Sequence, residues 1–73
     1  MTKQLQARAM FFIALEKAKS IADVTERAVI VAKARQDYID VLNEGAAEPQ
    51  MKEANAAGVD QALADYGLRS SST

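Results

Sequence analysis

The chain has 73 residues, nine of them Lys or Arg and ten Asp or Glu, with no His, Cys or Trp. That length allows one small domain of marginal stability, because a chain of this size buries only about 60% of the surface its unfolded form exposes. The composition excludes disulfides, zinc–thiolate centres and imidazole acid–base chemistry, and a net charge of −1 argues against bulk polycation binding to DNA.

Apolar residues make up 49% of the sequence, with alanine prominent and only three glycines and one proline. This balance favours helix, since Ala is the best helix former and the breakers are few. The first predicted helix spans about residues 2–19. Thr2 is a suitable N-cap, and Leu5, Ala9, Phe12 and Ile13 recur at helical spacing on one face. The segment Ser20-Ile21-Ala22-Asp23 supplies a break and a restart. Ser20 with Asp23, and better Asp23 with Glu26, have the spacing of a capping box.

A second helix is predicted from about 23 to 44, with Gly45 as its stop. Its broad apolar side carries Val24, Ala28, Ile30, Val31, Ala34, Tyr38, Val41 and Leu42. Its polar side carries Glu26, Lys33, Asp37, Asp40 and Glu44. Pro49 suits the first turn of a third helix, expected over 49–66, where its missing N–H costs nothing. Gly67-Leu68 then reads as a glycine stop followed by an apolar residue that folds back on the last turn. The expected inner face of this helix is Met51, Asn55, Gly58, Val59, Ala62, Leu63 and Tyr66. Gly58 is expected to admit a ring from helix one, and the helix to form only when docked. Short connections make consecutive helices antiparallel. The expected fold is therefore an all-α, antiparallel three-helix bundle, a single domain over 1–68, followed by a flexible, disordered tail over 69–73.

Helix one has more apolar surface than a bundle helix needs. At about 100° per residue, Phe11, Ala14, Leu15 and Ala18 form a second face roughly opposite Leu5, Phe12 and Ile13. Either helix one lies between the other two, or its second face meets another chain. The sequence reading favours the latter, with Phe11 and Leu15 exposed in an isolated chain or buried against a second one. On helix two, Arg27 and Arg35 flank Val31 within the apolar side. Their stems can pack on the bundle while the heads reach water, or they can clamp a partner's carboxylate. Glu16 is the expected internal partner for one of them.

Charge is uneven: residues 1–36 hold seven basic and three acidic groups, +4, and residues 37–73 two basic and seven acidic, −5. Attraction between the two halves would select the antiparallel packing. Seven spread carboxylates fall short of a nucleic-acid mimic. The acidic third helix is also a poor DNA-recognition helix, which needs basic residues facing bases and phosphates. Asp37, Asp40 and Glu44 share a helix face, but a Ca²⁺ or Mg²⁺ site needs more oxygen ligands and usually a shaped loop. Ser20 has no histidine base, and there is no glycine-rich phosphate loop. No enzyme activity, metal, cofactor or small-molecule substrate is expected. The run Ala9–Leu15 ends in Glu16-Lys17 without a cleavage pattern, and seven residues cannot span a bilayer, which takes about 20. No membrane association is expected, and the chain reads as complete and cytoplasmic.

These features point to a small non-enzymatic interaction module of adaptor or inhibitor type. It would bind a protein partner through an apolar face of helix one, using Met10, Phe11, Leu15, Arg27 and Arg35. The alternatives are a structural homo-oligomer using the same patch, or a nucleic-acid-associated helical domain using the basic N-terminal half.

Overall fold

A computed structural model describes residues 2–68. It contains three α-helices: α1 (Lys3–Lys19), α2 (Val24–Asn43) and α3 (Pro49–Asp65). The expected tail over 69–73 lies outside the described residues. Each helix limit follows from local chemistry. The Thr2 hydroxyl accepts the Leu5 N–H at 3.2 Å. The Asp23 carboxylate accepts the N–H groups of Thr25 at 2.9 Å and Glu26 at 3.5 Å, satisfying donors that the first turn of α2 leaves free. Ser20 plays the opposite part from its expected capping box. It closes α1, its hydroxyl donating to the Lys17 carbonyl at 2.7 Å.

Pro49 opens α3 as expected. Its end is a Schellman motif: Gly67 has φ +74°, Leu68 N–H reaches the Leu63 carbonyl at 2.9 Å, and Gly67 N–H reaches that of Ala64 at 2.9 Å. Leu68 then packs on the core. Gly45 works differently, since its φ is not positive; α2 ends through hydrogen bonds from Glu44, Gly45 and Ala46 back to the last turn.

The helices run up, down and up. Lys3 at the start of α1 pairs with Glu44 at the end of α2 at 2.8 Å. On α2, Arg35, Ile39 and Asn43 form an i, i+4, i+8 stripe that faces α3. Arg35 meets Asp60, Asn43 accepts a hydrogen bond from Asn55 at 3.2 Å, and Ile39 is buried between the two polar pairs. Helix α2 packs against both neighbours, whereas the backbones of α1 and α3 hardly approach one another. The central helix is thus α2, not α1.

Large side chains fill the space between α1 and α3. Phe11, Leu15, Ile39, Val59 and Leu63 form the core. All four aromatic residues of the chain make one continuous contact path. Tyr38 of α2 lies 4.9 Å from Phe11, Phe11 lies 5.4 Å from Phe12, and Phe12 lies 5.6 Å from Tyr66 at the end of α3. Cations close its outer edge, with Arg8 5.7 Å from the centroid of Phe12 and Lys19 5.3 Å from that of Tyr66. Such ring pairs contribute about 0.5–1.5 kcal/mol each beyond their buried area.

Two expectations for α3 are corrected. Met51 and Gly58 are exposed, and Ala56 and Asp60 take the inner positions beside Val59 and Leu63. The larger side chains Val59 and Leu63 set the helix rotation, leaving Gly58 at the rim of the cleft that holds Phe12. A Cβ placed on Gly58 would meet nothing within 4 Å, so no ring needs the missing side chain. Gly58→Ala is therefore expected to stabilise the fold by about 0.5–1 kcal/mol, through helix propensity alone. A higher urea midpoint at unchanged slope checks this.

Candidate functional site

The body measures 38 × 32 × 18 Å. Helices pack about 8–10 Å apart, so the thin dimension holds two helix layers and each helix keeps a solvent side. The inner side of α1 is formed by Phe11, 2% exposed, with Leu15 and Ala18, both 0% exposed. The outer side carries Leu5 at 55%, Met10 at 64% and Ile13 at 68% exposure, with Ala9 between them. Helix α1 therefore has two apolar faces, as its sequence indicates, but their assignment is reversed. Phe11 and Leu15 are core residues of the single chain and are unavailable to a partner. Leu5, Ala9 and Ile13, expected inside, form the outward stripe, and only Phe12 of that set is half-buried. The reason is volume: Phe11 and Leu15 are flanked by Ala7, Ala14 and Ala18, which let α2 approach closely.

Of the other candidate residues, Met10 lies at the outer edge of the α1/α2 seam, among Ala14, Lys17, Ile30 and Lys33. Arg27 and Arg35 lie elsewhere, along a groove between the first half of α2 and the end of α3. The five candidates therefore do not form one patch.

The expected Glu16 pair is absent. Glu16 is exposed on the outer side of α1 near Ile13, away from both arginines. Arg35 instead holds Asp60 through two bonds, Nε to Oδ1 at 2.7 Å and Nη2 to Oδ2 at 3.3 Å. This hydrogen bonding raises the Arg35 pKa above its ordinary value. A raised cation pKa contributes stability that is fully present below the unfolded value, hence throughout the neutral range. Both side chains are about one-third exposed, which places the pair between a surface bridge and a buried one. Asp60→Asn is expected to cost about 1 kcal/mol, seen as a lower unfolding midpoint, with a smaller loss at high salt because screening already weakens the native pair.

The acidic face of α2 is divided among separate donors. Asp37 pairs with Lys33 at 2.9 Å, Asp40 accepts from Gln36 at 2.7 Å, and Glu44 holds Lys3. Among the described residues no His, Cys, Asp or Glu group is arranged to hold a metal ion. No described helix is long and apolar enough to cross a membrane. Of the seven cations in residues 1–36, Lys3, Lys33 and Arg35 are held in ion pairs, which reduces the charge the basic half can offer to phosphates.

The outward stripe of α1 is the site that sequence reasoning misplaced. The polar residues of α1 do not mark its orientation. At about 100° per residue, Glu16 falls within the arc of Leu5, Ala9 and Ile13 with Gln6 and Lys17 just beyond it, and Gln4 falls within the arc of Phe11, Leu15 and Ala18 with Arg8 and Lys19 just beyond it. No protein-family model matches the chain, and no curated protein or solved structure matches it either.

Proposed function

We propose that the protein is a non-enzymatic helical interaction module, of adaptor or inhibitor type, that docks a protein partner on the outward face of α1. The observation carrying this reading is the exposure of Leu5, Met10 and Ile13 around Ala9 while the opposite face of the same helix is fully used by the core. Apolar residues at i, i+4 and i+8 present the pattern by which an amphipathic helix enters a partner's hydrophobic groove. Ala9 at the centre lets a partner's backbone come close. Self-association through the same stripe is the second reading, favoured by the small size of the chain, for which oligomerisation is a common source of extra core.

One experiment separates the two readings and tests both. Native and Leu5→Gln/Ile13→Gln chains are compared by sedimentation and by quantitative co-purification from the native cell. A partner captured by the native chain and lost by the variant supports docking on α1. A concentration-dependent dimer lost in the variant supports the homo-oligomer. Equal behaviour of the two chains in both measurements rejects the α1 face.

A further inference from the structure

A second site lies on the other side of the molecule, in the groove between the first half of α2 and the end of α3. Its volume is about 560 Å³, within the 300–1,000 Å³ typical of small-molecule sites. Its floor is Leu63, almost fully buried, with Val31 and Leu68 half-buried beside it. Among the described residues no aromatic ring lines it. The Schellman turn holds one wall in place, because the Leu68 N–H is fixed to the Leu63 carbonyl. Among the described residues its polar content is two guanidinium groups and one carboxylate. Arg35 is committed to Asp60 at 2.7 Å. Arg27 is half-buried and makes no ion pair among the described residues.

An aliphatic trough with one uncommitted guanidinium has a definite chemical complement. We propose that this groove binds a monocarboxylic acid with a flexible alkyl chain, the chain lying on Val31, Leu63 and Leu68 and the carboxylate engaging Arg27. Charge decides the head group, since a charge-assisted bond from a guanidinium to a carboxylate is roughly twice as strong as a neutral one. The aliphatic lining decides the tail, as branched aliphatic walls offer no ring for stacking. This site is independent of the α1 face and stands or fails separately.

The test is an NMR titration of the full chain, labelled at methyl groups, with sodium decanoate below its micelle concentration. Decyltrimethylammonium, of equal chain length and opposite charge, is titrated in parallel. Saturable decanoate shifts are expected at Val31, Leu63 and Leu68, with decyltrimethylammonium weaker by about tenfold or more. Arg27→Gln should weaken decanoate by a similar factor, Arg27→Lys by less, and Leu5→Gln/Ile13→Gln not at all. Equal affinity for both amphiphiles, shifts centred on Leu5 and Ile13, or no saturable shift would each overturn the proposal. The comparison of head groups on the native chain decides the matter even if an Arg27 variant fails to fold.

Discussion

Replacing Phe11 and Leu15 together by glutamine is expected to abolish cooperative folding of the isolated chain. Phe11 is the middle of the aromatic path joining the three helices, and Leu15 is the largest fully buried side chain. Truncation of a buried Phe costs about 3–5 kcal/mol and of a buried Leu about 2–5 kcal/mol. Glutamine adds the cost of desolvating an amide that finds no partner there. The two positions are in contact, one helical turn apart, so their effects do not simply add. Even a partial sum is decisive, because a 73-residue fold at about 0.05–0.15 kcal/mol per residue has only about 4–11 kcal/mol in total. Far-UV circular dichroism should show loss of helix without a cooperative urea transition. The sequence-based reading of these two residues as an interface implies the contrary result, a folded monomer with weakened association.

The mirror-image substitution, Leu5→Gln with Ile13→Gln, should leave folding nearly untouched. Both side chains are more than half exposed, and surface changes away from special features usually stay within about ±0.5 kcal/mol each. Its effect is expected on association. If Leu5 and Ile13 are anchors of the docked face, losing them should weaken binding by at least about 2 kcal/mol, or roughly thirtyfold. Isothermal titration against the co-purified partner, or sedimentation equilibrium if the partner is a second copy, measures this. The pair of double variants thus separates folding from binding on one helix.

Much of the architecture is legible in the sequence because it is locally encoded. Thr2, Asp23, Pro49 and Gly67-Leu68 mark helix ends through bonds made within a few residues, so short-range reasoning places all three helices to within about two residues. Helix rotation is less accessible, since it depends on which surfaces the other helices offer. On α1 both faces are apolar and polar residues flank each alike, so no pattern within the helix tells its inner face from its outer one. Ile39 is hidden for a related reason: it stands between Asp37 and Asp40 in sequence, yet belongs to the Arg35–Ile39–Asn43 stripe that meets α3. Asp60 as the partner of Arg35 is a tertiary fact, 25 residues distant in sequence, and no periodicity within either helix reveals it. The groove beside Arg27 exists only once α2 and α3 have docked, which is why composition points to no ligand.

The central claim is that α1 turns Phe11 and Leu15 inward and Leu5, Ala9 and Ile13 outward. The chain's lack of cysteine allows a direct test, the rate of thiol labelling under native conditions in two single variants, Ile13→Cys and Leu15→Cys. The Ile13→Cys chain should label at the rate of an unfolded peptide. The Leu15→Cys chain should label about a hundredfold more slowly or less, because reaction there requires an opening that costs on the order of 3 kcal/mol. Equal rates, or protection at position 13 with rapid labelling at position 15, would contradict the orientation of α1 and the docking face that rests on it.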